Sequence, residues 1–149
     1  MKLFTIITLS IFFVSLQSCT PEYGKGGSSV SGSSRSHNMG QDCMNCHKPG
    51  GDEAPTWKAA GTVYNQDGIL TNANSTIKLF TGPNGTGTLK YTINVDTKGN
   101  FYSDAVDFAG GLYPVAKGNT STNYMSSSIT NGACNSCHTG TSNGRIWAQ

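Results

Sequence analysis

The chain has 149 residues, enough for one domain or for one domain with small appendages. Only 36% of it is hydrophobic and it contains 19 glycines, a composition that needs disulfides, metals or a large apolar cofactor to complete a core. The formal net charge of +2 comes without a basic run, so nothing indicates a nucleic-acid partner.

Residues 1–18 are predicted to be a signal peptide. Lys2 supplies the positive start, and a mostly apolar run extends from Leu3 to Leu16. That run is too short to span a bilayer comfortably, as is typical of a cleaved export signal. The sequence therefore predicts that the protein leaves the cytoplasm.

The end of this segment, Leu16-Gln17-Ser18-Cys19, resembles the lipobox of bacterial lipoproteins, although Gln17 is less usual at its place. The resemblance implies that Cys19 is acylated and anchors the protein in a membrane. The alternative is plain cleavage, with Cys19 left as a thiol. Thr20 is not aspartate, which in enterobacterial sorting rules indicates the outer membrane, facing either the periplasm or the cell surface.

Residues 19–36 are predicted to be a flexible linker behind the lipid. From Gly24 to Ser36 the sequence is nearly all glycine and serine. Such a stretch buries too little apolar surface to fold by itself and is typical of a tether.

Residues 57–118 favour a small antiparallel β-sandwich, so the fold class is mainly β. The segment from Leu89 to Val95 alternates apolar and polar residues with a period of two. Further strands are predicted at four places, separated by turn signals rich in glycine, asparagine and proline: Gly61–Tyr64, Thr76–Phe80, Phe101–Tyr102 and Tyr113–Ala116.

This segment resembles the carboxypeptidase regulatory-like, or transthyretin-like, β-sandwich. The resemblance covers about sixty residues and is carried by Ala60-Gly61-Thr62-Val63, Ser75 to Leu79, Asp96 to Phe101 and Gly111 to Val115. It implies a fold and no activity, because modules of this kind have no catalytic residues of their own.

Two C-x-x-C-H motifs flank the predicted sandwich. Cys43-Met44-Asn45-Cys46-His47 lies in a first haem-binding segment, 37–56, and Cys134-Asn135-Ser136-Cys137-His138 lies in a second, 119–149. This is the c-type haem attachment motif. Two cysteines three residues apart reach the two vinyl groups of one haem, and the adjacent histidine points at the iron. The chain thus resembles multihaem c-type cytochromes, with short helical or irregular haem-binding segments at both ends of the sandwich.

The resemblance implies two covalent haem c groups. Cys43, Cys46, Cys134 and Cys137 would form the thioethers, and His47 and His138 would be the proximal iron ligands. A zinc site with four cysteine ligands uses the same C-x-x-C spacing but leaves the following histidines unexplained. A redox dithiol or two structural disulfides meet the same objection.

The distal iron ligands are less closely defined by the sequence. The candidates are His37, Met39 and Met125. We expect His37 on the first haem and Met125 on the second, with Met39 as the rival on the first. A cross-arrangement in which His37 reaches the second haem stays open. A bis-histidine iron has a lower potential than a His/Met iron, so this assignment would make the two haems unequal.

The predicted function is electron transfer without catalysis, between redox partner proteins or to an extracellular acceptor. The alternative is a small dihaem redox enzyme of the peroxidase or reductase type with one open iron. A third possibility, compatible with the first, is a binding module: the sandwich docks to a larger cytochrome complex or to the cell surface, and the haems conduct electrons. Three aromatic residues near the motifs or the chain end are candidates for packing against haem: Trp57, Tyr124 and Trp147.

Overall fold

The computed structural model of the protein describes residues 27–140 and 143–149. The predicted signal peptide, Cys19 and the first part of the linker lie outside the described residues. No helix in the described ranges is long and apolar enough to cross a membrane. The described strands are β1 (Ala59–Thr62), β2 (Thr76–Phe80), β3 (Leu89–Asn94), β4 (Asn100–Ser103), β5 (Tyr113–Lys117), β6 (Thr122–Tyr124) and β7 (Gly132–Ala133).

The seven strands form two sheets. One has three strands in the order β4-β1-β7, and the other has four in the order β3-β2-β5-β6. All pairings are antiparallel except that of β7, which runs parallel to β1. The prediction of a mainly β fold is confirmed, with two sheets that are mostly antiparallel. The sequence predicted antiparallel strands only, and the parallel β1–β7 pair departs from that prediction because a distant segment joins the edge of the sheet.

One hydrophobic core lies between the two sheets. In β2 the alternation of the sequence turns Ile77 and Leu79 inwards, and both are buried. From the three-stranded sheet Phe101 and Ala59 enter the same cluster, together with Val63 just after β1. The two sheets therefore pack face to face, in a sandwich-like arrangement.

Two short helical segments carry the cysteine motifs. A 3₁₀ turn covers Cys43–Asn45, and a single α-helical turn, α1, covers Cys134–Cys137. The first precedes β1 in the chain, and the second directly follows β7. Both the turn and α1 lie against β1, the central strand of the three-stranded sheet.

The glycine- and serine-rich segment 27–36, which the sequence places in the flexible linker, lies along the sandwich. Ser29 is buried, and its backbone N–H donates to Tyr102 O at 2.8 Å. Further along, the Thr97 N–H donates to Ser33 O at 2.8 Å, and Lys98 Nζ donates to Ser36 O at 2.6 Å. Backbone and small hydroxyl groups satisfy these hydrogen bonds without apolar side chains, which explains why composition alone did not indicate the contact.

Candidate haem-binding site

The first motif forms one tight turn. Asp42 caps it, because its side chain accepts the Met44 N–H at 3.1 Å. The His47 N–H donates to Cys43 O at 2.9 Å and closes the turn. In a 3₁₀ turn residues three positions apart eclipse each other, so Cys43 and Cys46 share one face, and His47 follows directly.

The His47 ring is held by the loop that follows it. Nδ1 lies 2.9 Å from Pro55 O, and the Trp57 N–H donates back to His47 O at 2.8 Å. A carbonyl oxygen can only accept, so Nδ1 carries the proton and donates. In the neutral ring this leaves the lone pair on Nε2, the atom that binds a metal.

The second motif repeats both features. In α1 the His138 N–H donates to Cys134 O at 3.0 Å, and His138 Nδ1 lies 3.0 Å from Gly144 O. By the same argument Nδ1 is the donor and Nε2 is available to a metal. Two turns of different helical type, held by unrelated loops, thus present their histidines in the same tautomer.

A second imidazole lies beside the first motif. The ring centres of His37 and His47 are 5.7 Å apart and their planes are tilted by 37°. The ring of Trp57 also lies 5.7 Å from that of His47, and Trp57 in turn stacks on Tyr102 of β4 at 4.4 Å. The first site therefore contains two imidazoles and an aromatic wall.

The methionine candidates lie in different surroundings. Met39 is 47% exposed, close to the first motif in the chain. Met125 directly follows β6, and its N–H donates to Pro114 O at 3.0 Å in the four-stranded sheet. His138 directly follows α1, which packs on β1 of the three-stranded sheet. The prediction that Met125 serves the second haem stays a prediction.

The two motif turns share β1 as their support. Gly61 makes this possible, because a Cβ at that position would lie 3.0 Å from Cys134 Cβ and 2.7 Å from the Phe101 ring. Only a residue without a side chain lets α1 approach the strand so closely. Sequence analysis gave Gly61 no functional meaning, since nothing local to the strand indicates a helix packed against it.

The thiols of the two motifs differ in their electrostatics. Burial, followed by the nearby Cys43, Cys137 and Asp42, raises the pKa of the Cys134 thiol to about 12. Burial is also the main cause that raises the pKa of Cys43, with smaller contributions from Asp42 and Cys46. Cys43 is among the groups that raise the pKa of Cys134, and the turns that carry these two cysteines both lie against β1.

The arrangement of the cysteines bears on the alternatives to haem. All four motif cysteines are free thiols, so the structure has no disulfide between them. Within residues 27–140 and 143–149, no three His, Cys, Asp or Glu side chains lie together closely enough to hold a metal ion. A zinc site needs four such donors converging on one point. The donor set instead fits two haems: a pair of thiols and one oriented imidazole at each turn.

Comparison with known proteins gave no relative. No protein-family model matches the chain, no curated protein is recognisably similar to it, and no solved structure matches it.

Proposed function

We propose that this protein is a c-type cytochrome with two covalent haems whose function is electron transfer. The observation that carries the proposal is the repeated geometry of the two motifs. In each, a single turn gathers two thiols and a histidine, and the histidine Nδ1 donates to a backbone carbonyl so that Nε2 is available. A zinc or disulfide role would not require that tautomer at both histidines.

The neighbourhood of His37 supports a closed first iron site. The ring centres of His37 and His47 are 5.7 Å apart, and metal–nitrogen bonds are about 2 Å long, so both imidazoles are near enough to bind one metal. His37 is therefore the proposed distal ligand of the first haem, and Met39 is the weaker candidate.

The second site differs, because the chain has 3 histidines and two of them already lie together at the first site. A protein ligand opposite His138 would accordingly be of another type, and Met125 remains the candidate. If the second iron has no distal ligand, the alternative of a dihaem redox enzyme gains support, since an open iron can bind peroxide or another small ligand.

Each haem, when bound, would supply one iron that cycles between the ferric and ferrous states. The residues of the chain provide the rest. Cys43, Cys46, Cys134 and Cys137 would hold the groups covalently. The carbonyls of Pro55 and Gly144 orient the two proximal histidines, and Trp57 packs beside His47. One electron enters from a reduced partner and leaves to an oxidised one, either a redox protein or an extracellular acceptor.

Export and anchoring belong to the same proposal. The leader and the lipobox-like Leu16-Gln17-Ser18-Cys19 support an outer-membrane lipoprotein facing the periplasm or the cell surface. Covalent attachment of haem c takes place outside the cytoplasm, so an export signal and C-x-x-C-H motifs in one chain are consistent with each other. The transthyretin-like topology is likewise proposed as the finer description of the sandwich, supported by the strand motifs of residues 60–115.

The experiment is to produce the full chain in a host with c-type haem maturation and to record the denatured mass, absorption spectra and electron paramagnetic resonance. We expect two covalent haems per chain and a low-spin bis-histidine signal from one of them. A reduced protein in which the second iron takes up carbon monoxide would favour the enzyme alternative. A chain without covalent haem would overturn the proposal.

A further inference from the structure

Asn135 is a polar residue buried inside the second motif. It lies between Cys134 and Cys137, where neither attachment of a haem nor binding of an iron requires any particular residue. Its side chain is nevertheless only 1% exposed, whereas the adjacent Ser136 is exposed. A buried amide needs hydrogen-bond partners, and those of Asn135 lie outside its own motif.

The Asn135 amide joins the second motif to the segment leading into the first. Asn135 Oδ1 accepts the Thr62 N–H at 3.1 Å, and Asn135 Nδ2 donates to Gln41 O at 2.8 Å and to Thr62 Oγ1 at 3.1 Å. The reversed amide would set an oxygen against Gln41 O and an NH₂ group against the Thr62 N–H. The partners therefore fix the orientation of the side chain.

Thr62 extends this connection. Its hydroxyl accepts the Gly40 N–H at 2.9 Å and donates to Asn100 Oδ1 at 2.7 Å. Asn100 Nδ2 in turn donates to His37 O at 2.9 Å. Thr62, Asn100 and Asn135 are all at most 3% exposed, so water does not readily replace these hydrogen bonds.

The segment 37–41 is therefore held at three backbone atoms: His37 O, Gly40 N and Gln41 O. This segment has His37 at its start and leads directly to Cys43. The segment has no regular secondary structure, so the three hydrogen bonds replace those of a helix or strand in fixing its path.

We infer that Asn135 and Thr62 are positioning residues for the first haem site, so that the second motif forms a structural part of the first. The presence of a haem at this site rests on the proposed function. The positioning of segment 37–41 rests only on the hydrogen bonds described above. Asn135 does not touch the first iron's ligands; it acts through the backbone of 37–41. The two haem sites are therefore structurally connected: Asn135 of α1 helps to keep His37 beside His47.

The test uses two variants of nearly unchanged shape, Asn135→Leu and Thr62→Val. Each removes one part-buried hydrogen bond to segment 37–41, to Gln41 O or from the Gly40 N–H, and leaves every cysteine and histidine in place. The matched controls are Asn123→Leu, which removes an amide bonded to Trp147 O, and Thr62→Ser, which keeps the hydroxyl. The readouts are the low-spin bis-histidine resonance signal and the fraction of reduced haem that binds carbon monoxide.

We expect both variants to retain two covalent haems, to lose intensity in the bis-histidine signal and to bind carbon monoxide in a fraction about tenfold larger than the wild type. Asn123→Leu should behave as the wild type, and Thr62→Ser should restore the wild-type signal. If Thr62→Val and Asn135→Leu keep the wild-type signal and carbon monoxide binding, the inference is wrong while the dihaem assignment remains.

A second measurement does not depend on haem. In the apoprotein, amide hydrogen exchange in the peptide covering residues 37–43 should be about tenfold faster in Thr62→Val than in Thr62→Ser. Equal exchange would overturn the inference even if the wild type carried no haem. If Asn135→Leu fails to fold, the Thr62 pair decides the question by the same two readouts.

Discussion

The two cysteine motifs have the same local geometry and different surroundings. Each closes one turn between its first cysteine and its histidine, and each histidine donates Nδ1 to a carbonyl in the loop that follows. Beyond that, the first motif faces the imidazole of His37 and the ring of Trp57, whereas the second packs against Gly61 of β1 and is joined to the first through Asn135.

This difference separates features that the motif sequence itself determines from features that depend on the rest of the fold. In the proposed dihaem protein, attachment would depend on five consecutive residues, because a single turn carries both thiols and the proximal histidine. A second ligand for each iron would come from residues that the fold brings in from elsewhere. The comparison therefore predicts two haems that are attached alike and behave differently.

The largest expected effect comes from removing one attachment site at a time. Cys43→Ala with Cys46→Ala, and separately Cys134→Ala with Cys137→Ala, should each leave a chain with one covalent haem, because each thiol pair serves one group. Denatured mass measures the number attached. Cys19→Ala is the control and should keep both haems while losing the lipid. A double variant that retains two haems, or loses both while still folded, would contradict independent attachment.

Replacing His37 should affect only the first haem. His37→Ala removes the imidazole 5.7 Å from His47, so that iron should become high-spin when oxidised, bind carbon monoxide when reduced and shift to a higher potential. Electron paramagnetic resonance and a redox titration measure these changes. Met39→Leu is the control and should leave both haems unchanged. The opposite result, an altered spectrum in Met39→Leu alone, would make Met39 and not His37 the distal ligand of the first haem.

A smaller spectral change is expected at the second haem. If Met125 binds that iron, Met125→Leu should abolish the methionine–iron charge-transfer band in the red and lower the potential of one haem, without altering the bis-histidine signal. The ferric absorption spectrum and a titration record both. Met125 follows β6 of the four-stranded sheet, whereas α1 packs on the three-stranded sheet. This variant therefore tests whether any side chain of the protein serves as the distal ligand of the second iron. A wild type without the band would remove Met125 from the ligand set.

The smallest effect concerns the apoprotein, in which the cysteines are free thiols. Burial raises the pKa of Cys134 from 9.0 to about 12, so at pH 8 its thiolate is roughly a thousandfold scarcer than in the unfolded chain. Alkylation followed by peptide mass mapping should show slow labelling of Cys134 in the folded apoprotein and rapid labelling in urea. Fast labelling under both conditions would mean that the folded apoprotein does not shield the partly buried Cys134 thiol.

The sign of the accompanying pH dependence follows from the same shift. Between about pH 9 and pH 12 the unfolded chain has lost the Cys134 proton while the folded chain keeps it. The folded apoprotein therefore binds more protons, and its free energy of unfolding falls as the pH rises through this range. Urea denaturation at pH 8 and pH 10 measures the decrease.

Regular strands with strict alternation were predictable from the sequence. Thr76–Phe80 was predicted as a strand and is β2, because Ile77 and Leu79 face a core on one side only. β6 and β7 were not predicted. Both are short and contain no apolar alternation, so Thr122–Tyr124 and Gly132–Ala133 carry little local signal. β6 pairs with the neighbouring β5, whereas β7 depends on β1, more than seventy residues earlier in the chain.

The same limit applies to the candidate site. The two turns follow from the motif spacing, but the hydrogen bonds that position segment 37–41 join residues far apart in the chain: Gly40 with Thr62, and Thr62 with Asn135. Thr62 looks like an ordinary strand residue, and Asn135 like a variable position between two cysteines. Only the packing of α1 on β1 gives these side chains a common role.

The contacts of residues 27–36 with the sandwich would limit how far the two proposed haem sites can move from a membrane. If Cys19 carries a lipid, the chain between it and Gly27 spans at most about 30 Å when fully extended. A tether reaching to Ser36 would allow roughly twice that distance. Partners that exchange electrons with this protein would therefore have to come close to the bilayer surface, since the docked segment adds nothing to the reach of the anchor.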